Sequence, residues 1–408
     1  MSERSRQATL ELDSEHRREE TAGGSSEGRG ISRRTFLKGL AGAAAGLAFV
    51  SSGLPARAAG WNRGIIHELS DEKLIDMYVR MLRSRHWEEA MKDLFLMGKD
   101  GLYGAFHIYI GQEAVAVGAI SALNDDDYIA STHRGHGHLI AKGGDLRKMS
   151  AEIFFRETGY NKGFGGSMHI TDVSKGILGM NGIVGPSHLL AAGAAYGIKV
   201  RGTNQVAMSF GGDGSVQNGW FWAALRNAAL YNLPLICVIE NNFFQIAMPV
   251  ERTISIKDLS QIGLGLGIPS ETVDGNDVLA VYDVAKRAVD RARNGGGPTL
   301  IEAKTYRWYD HAGFAGAQVG VQGAFGLPYR SDREVRAWMA KDPIARFRET
   351  LIMNGVLAEE QAREIEEQVI AEVADSIEFA RNSPPPKPDA ALSHVFVEGQ
   401  VPATQFLV

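Results

Sequence analysis

Asp213 and Asn242 stand near opposite ends of the segment GGDGSVQNGWFWAALRNAALYNLPLICVIENN, residues 211–242. Carboxylate and carboxamide oxygens are hard ligands, suited to Mg2+ or Ca2+ and poorly suited to zinc. Two such ligands do not fill an octahedron. Mg2+ completes its shell with water and phosphate oxygens, so a diphosphate is the expected companion. Gly211, Gly212 and Gly214 let the backbone approach phosphate oxygens, and the N-terminus of the helix that follows favours negative charge. A tight turn with Asp213 as a helix cap would account equally well for GGDG alone, so the pairing with Asn242 carries the argument.

The pairing requires the two side chains to meet. NQVAMSF reads as an apolar strand, residues 218–232 as a helix, LPLICVIE as a strand, DVLAVYDVAKRAVDRARN as a helix and TLIEAKTY as a strand. Strands alternating with helices pair in parallel through right-handed crossovers, which predicts a doubly wound α/β sheet with helices on both faces. Ligands then bind at the carboxyl ends of the strands, and neighbouring strands lie roughly 4.8 Å apart. Asp213 and Asn242 each follow a strand, so one crossover returns both to the same edge. Upstream, residues 74–97 keep apolar positions at helical spacing, and GQEAVAVGAISAL and SHLLAAGAAYGIKV read as shorter helices. Between these two, DYIASTHRGHGH and residues 161–186 are rich in Gly, His and small polar residues, the composition of a flexible surface or a binding loop. Beyond Ser331 the pattern is a helical extension ended by SPPPKP, and the acidic run on it reads as a solvated face.

Composition narrows the function. The 408 residues are 44% hydrophobic and 22% charged with a net charge of -5, which fits an ordinary globular protein and argues against a nucleic-acid partner. The single cysteine, Cys237, lies in an apolar strand and excludes an internal disulfide. At the N-terminus, Arg33-Arg34, a short run of small apolar residues and Ala56-Arg57-Ala58 have the layout of a twin-arginine export signal with an A-x-A cleavage site. The expected organisation is a leader over 1–59, a catalytic domain over 60–383 and a Pro-rich tail over 384–408. Working export would place the protein in the periplasm, and a silent signal would leave it in the cytoplasm.

GDG and ENN at this separation resemble the thiamine-diphosphate motif. FHIYIGQEAVAVG, STHRGHGHLIAKGGD, GFGGSMHITDVSKGILGMNGIVGP, IEAKTYRW and DPIARF resemble, in order, segments of the alpha subunit of the first component of 2-oxo acid and acetoin dehydrogenase complexes. The resemblance runs from about Leu74 to the C-terminus and implies a thiamine-diphosphate-binding fold. It makes Asp213, Asn242 and the backbone carbonyl of Phe244 the Mg2+ ligands, and Arg134 a bidentate partner of the diphosphate. It sets the backbone of Gly182 and Val184 against the aminopyrimidine, and Gly212, Gly214 and Ser215 around the diphosphate. His107 and His311 match the active-site histidines that move protons near neutral pH, while His133 and His136 beside Arg134 shape the pocket.

Three departures stand out. Gln217 and Asn218 occur in exchanged order relative to the usual GDGAANQG, FFQ replaces the usual residues after ENN, and the loop after His311 is long and glycine-rich. The chain has no room for a second α/β domain, so the resemblance implies a separate beta subunit, an α2β2 assembly and a lipoyl acyltransferase as acyl acceptor. The implied substrate is a 2-oxo acid of pyruvate type or acetoin. Two other readings are an exported nonoxidative lyase or carboligase subunit, and a non-catalytic cofactor-binding relative.

Overall fold

A computed structural model describes residues 64–390. Its centre is a five-stranded sheet in the order β1-β2-β3-β7-β6. The strands are β1 (Tyr128–Ala130), β2 (Ala207–Gly212), β3 (Leu235–Asn241), β6 (Ser270–Asp274) and β7 (Thr299–Lys304). Every pairing is parallel, with Gly212 opposite Glu240 at the end of β2 and β3. A small antiparallel pair, β4 (Phe244–Gln245) and β5 (Met248–Pro249), follows β3.

Side chains of successive strand residues leave opposite faces, and both faces here are apolar. Ile236, Val238, Ile301 and Ala303 join one core with the helices Asp71–Leu96, Glu113–Ile120 and Val278–Arg293. Leu235, Cys237, Ile239 and Leu300 join the other with the helices Pro186–Arg201 and Gly219–Leu230. Cys237 is free and fully buried, as its apolar run predicts. The doubly wound sheet therefore stands as read, with helical bounds within a few residues of the expected ones.

Other expectations change. The residues after β2 form a 3-10 turn, Asp213–Gln217, before the helix begins. The cap of that helix is Asn218, whose side chain accepts from Trp220 N at 2.9 Å, so Asp213 is released from capping. Two helices, His136–Ala141 and Leu146–Ile153, occupy ground where no helix is expected. The acidic C-terminal helix Glu359–Asn382 is only partly a solvated face. Glu372 pairs with Arg83 at 2.7 Å and Glu366 lies 3.1 Å from His86, which ties this helix onto the first one, while Asp375 pairs with Arg147 of the helix Leu146–Ile153 at 2.6 Å. The twin-arginine segment and residues 391–408 of the tail lie outside the described residues. No described helix is long and apolar enough to cross a membrane.

Gly118 sets the distance between the helices Glu113–Ile120 and Val278–Arg293. A Cβ there would lie 2.7 Å from the Val278 carbonyl oxygen and 2.8 Å from Val281 Cβ. Gly118→Ala is expected to destabilise the protein by about 1–3 kcal/mol through overpacking, read as a lower urea midpoint with unchanged slope. A midpoint at or above that of the parent would contradict this packing.

Candidate active site

Because every strand of the main sheet runs the same way, the residues that follow their carboxyl ends collect on one edge. β1 delivers Thr132, His133 and Arg134; β2 delivers Asp213, Gly214 and Ser215; β3 delivers Asn242, Phe244 and Gln245; β7 delivers Arg307 and His311. These side chains, with Gln112, Val184, Gly212, Glu240 and Ile246, line a cleft of about 230 Å3.

Asp213 is buried, its own N–H and that of Asn242 point at its carboxylate, and its Oδ2 has no hydrogen-bond partner. Burial pushes its carboxyl up to about 6, against the pull of Arg307 and the two backbone amides. Asn242 is oriented by Gln112, whose Oε1 accepts from Asn242 Nδ2 at 3.1 Å, leaving the amide oxygen turned the other way. Phe244 sits between two residues with positive φ, Phe243 at 69° and Ile246 at 57°. Such angles are uncommon for bulky side chains, and here they present the Phe244 and Ile246 carbonyls to Arg307. Arg307 Nε donates to Asn242 Oδ1 at 3.2 Å, and Nη2 donates to the Phe244 carbonyl at 3.3 Å and the Ile246 carbonyl at 2.8 Å. A cationic guanidinium therefore rests on the amide and carbonyl oxygens that, with Asp213, form a hard-ligand set.

Arg134 is the second buried guanidinium. It donates from Nη1 to the Ile108 carbonyl at 2.7 Å and from Nη2 to the His311 carbonyl at 2.8 Å. Burial, and then the neighbouring charge of Arg307, lower it to about 9. Arg307 is shifted downward for the same first reason. Among the described residues neither guanidinium makes an ion pair with a carboxylate, and Arg307 Nη1 has no partner. Two desolvated cations beside an open cleft have the charge and the donors to hold an oxygen-rich dianion.

His107, His133 and His311 converge beside Arg134, with ring centroids 4.5, 4.9 and 5.3 Å apart. Burial, then Arg134, holds His107 and His133 at about 2 and His311 at about 3, so all three are uncharged at neutral pH. An anion between the guanidiniums would cancel part of that repulsion and raise them toward the range useful for proton transfer.

The structure gathers most of the residues singled out from the sequence. Gly212, Asp213, Gly214, Ser215, Asn242, Phe244, His133, Arg134, Val184 and His311 line the cleft; His107 packs behind His133 and His311; Gly182 lies outside the lining. His136 does not shape the pocket. It is fully buried, with Nδ1 2.8 Å from Glu88 Oε1 and Nε2 3.0 Å from Ser167 Oγ. The exchanged pair has structural partners: Gln217 bonds Gln245 at 3.0 Å, and Asn218 Nδ2 donates to the Val184 carbonyl at 2.8 Å. Arg307, Gln112 and Glu240 were missed. Arg307 directly follows the expected strand TLIEAKTY and lies three positions beyond the end of β7, so the edge rule alone could have found it.

A family model described as dehydrogenase E1 component matches residues 79–389, and one for the twin-arginine translocation signal matches residues 30–50. The chain is 43% identical over 332 residues to the alpha subunit of acetoin:2,6-dichlorophenolindophenol oxidoreductase of Bacillus subtilis, covering 81% of this chain and 95% of that one. To the subunit of the same name from Cupriavidus necator it is 40% identical over 329 residues, 81% of this chain and 96% of the relative. To the pyruvate dehydrogenase E1 component subunit alpha of Porphyra purpurea it is 36% identical over 337 residues, 81% and 94% of the two chains.

His188 offers a test of the buried polar layer under the cleft. Its Nδ1 lies 2.9 Å from Ser209 Oγ and its Nε2 3.2 Å from Ser215 Oγ, and burial holds it at about 3. The unfolded chain protonates this ring near its ordinary value of about 6.5 while the folded chain does not. Stability is therefore lost as pH falls below that value, by up to about 1.4 kcal/mol per pH unit from this residue. In urea unfolding from pH 7 to 5.5, His188→Asn is expected to lose less stability than the parent. Equal losses would contradict an uncharged, buried His188.

Proposed function

This chain belongs to the dehydrogenase E1 component family, and from that membership we propose that it is the alpha subunit of a thiamine-diphosphate-dependent acetoin or 2-oxo acid dehydrogenase. The observation that carries the reading is the pairing, in one cleft, of an orphaned carboxylate oxygen on Asp213 with two unpaired buried guanidiniums. A cation and an anion are both called for, and a metal-bound diphosphate supplies both. When bound, thiamine diphosphate provides a carbanion that attacks a carbonyl and an electron sink for the bond broken next.

The residues present fit the group. Asp213, Asn242 and the Phe244 carbonyl are the oxygen ligands for Mg2+, and a metal taking them requires Arg307 to release Asn242 Oδ1 and the Phe244 carbonyl. Arg307 retains its shorter bond to the Ile246 carbonyl and faces the diphosphate together with Arg134. Gly212 keeps the floor open, since a Cβ there would meet no atom within 4 Å and would project into ligand space. Gly214 and Ser215 offer backbone to the diphosphate and Val184 offers its backbone to the aminopyrimidine, a role that Gly182, outside the cleft lining, takes from the family resemblance alone. His107 and His311 hold and return protons at the reacting carbonyl, and His133 packs beside them.

A beta subunit completes the assembly, as α2β2, and a lipoyl acyltransferase receives the acyl unit. Acetoin is the favoured substrate, because the relatives named for acetoin are 43% and 40% identical and the one named for pyruvate 36%. The twin-arginine signal favours export of a folded, cofactor-loaded protein with cleavage after Ala58. It also sustains the alternative of an exported nonoxidative lyase or carboligase, which needs no lipoyl partner.

With its beta partner, the protein is expected to bind thiamine diphosphate only when Mg2+ is present, and Asp213→Ala is expected to weaken that binding at least tenfold by titration calorimetry. Unchanged binding would overturn the metal assignment. In a dichlorophenolindophenol reduction assay, kcat/KM for acetoin is expected to exceed that for pyruvate. The reverse order would move the assignment to 2-oxo acids, and cleavage of acetoin without dye reduction would favour the nonoxidative class.

A further inference from the structure

His107, His133 and His311 are brought together from three separate segments, and their ligand-capable nitrogens all lie within 4.8 Å of one another. Neither His107 nor His133 spends a ring nitrogen on a hydrogen bond, and His107 Nδ1 is buried without a partner. A tetrahedral ion bound by imidazoles at about 2.1 Å holds its donor atoms about 3.4 Å apart and its ring centroids about 5 Å apart. The centroid separations here, 4.5, 4.9 and 5.3 Å, already bracket that spacing. Ligation requires the nitrogens, now within 4.8 Å of one another, to close to about 3.4 Å.

We propose that His107, His133 and His311 form a three-nitrogen site for a borderline divalent transition-metal ion of the zinc or cobalt class, with its fourth position open to the cleft. Nitrogen donors select against Mg2+ and Ca2+, so this site is chemically distinct from the oxygen set at Asp213. Arg134 Nη2 lies 3.3 Å from His311 Nδ1. Ligation therefore uses His311 Nε2: the ring proton moves to Nδ1 and that contact is given up. Arg134 keeps its bonds to the carbonyls of Ile108 and His311. The guanidinium charge nearby makes the site weaker than a dedicated zinc centre. An ion bound there ties down the three rings and closes the cleft to a carbonyl substrate. The inference does not rest on the cofactor assignment.

Cobalt(II) distinguishes the two kinds of site by its visible spectrum, which is intense in tetrahedral nitrogen fields and weak in octahedral oxygen fields. The alpha chain copurified with its beta partner is titrated with Co2+ in excess Mg2+. Tetrahedral bands are expected at one equivalent per alpha chain, abolished by excess Zn2+, lost in His133→Ala and kept in Asp213→Asn. Absence of the bands, or their survival in His133→Ala, would overturn the proposal. X-ray absorption at the zinc edge of the unmodified protein decides the matter should His133→Ala fail to fold: imidazole scattering from three rings supports the site, and an all-oxygen shell refutes it.

Discussion

Two guanidiniums buried in one cleft, with no carboxylate of the described residues paired to either, set the terms for the rest of this molecule. Desolvating such charges costs several kcal/mol each, and their mutual repulsion adds to it. Arg134 and Arg307 are held in place by neutral groups: the carbonyls of Ile108 and His311 with the His311 ring for one, and the carbonyls of Phe244 and Ile246 with the Asn242 amide oxygen for the other. Carbonyl dipoles solvate a cation without neutralising it. The cleft thus keeps a net demand for an anion, which a paired site would have lost. Burial, and then the same field, depress the three imidazoles, so their readiness to carry protons is coupled to the charge in the cleft.

An arrangement this unfavourable persists only where the surrounding structure fixes it. The parallel sheet does so by geometry: four adjacent strands release their chains at one edge, and β3 is buried along its whole length. Below that edge lies a second polar layer whose members satisfy one another. His188 bridges Ser209 and Ser215, Tyr109 donates to Glu240, and His138 lies 3.3 Å from Glu240 Oε1 with its other ring nitrogen 2.8 Å from Ser131 Oγ. Satisfied buried networks of this kind are rigid, and rigidity here preserves the unmet demand above them. Among the residues lining the cleft and their neighbours in the turn after β3, Phe243 and Ile246 have positive φ, and that turn presents the carbonyls that Arg307 holds.

Much of this was legible in the sequence, for identifiable reasons. β2, β3 and β7 are central strands, apolar on both faces, and stand out as continuous hydrophobic runs. β1 and β6 are edge strands. One is three residues long and the other, SETVD, is mostly polar, so neither has a hydrophobic pattern to read. Asp213 and Asn242 could be paired because a crossover between neighbouring strands has a fixed outcome. His136 and His133 could not be told apart by type or neighbourhood. Burial beside Glu88 and Ser167 separates them, and that contact joins residues far apart in the chain. Arg307 directly follows an expected strand and was within reach of the edge rule, but its bonds to the Phe244 and Ile246 carbonyls depend on an unusual turn that residue identity does not encode.

The proposed function requires one metal to join Asp213 to a diphosphate held by Arg134 and Arg307. The most direct test is electron-nuclear double resonance on the complex loaded with Mn2+ and thiamine diphosphate, using protein labelled with carboxylate carbon-13 aspartate. Hyperfine coupling of the manganese to both phosphorus and an aspartate carboxylate is the predicted result, with the carbon signal lost in Asp213→Asn. Manganese coupled to neither nucleus, or a carbon signal that persists in the variant, would contradict it.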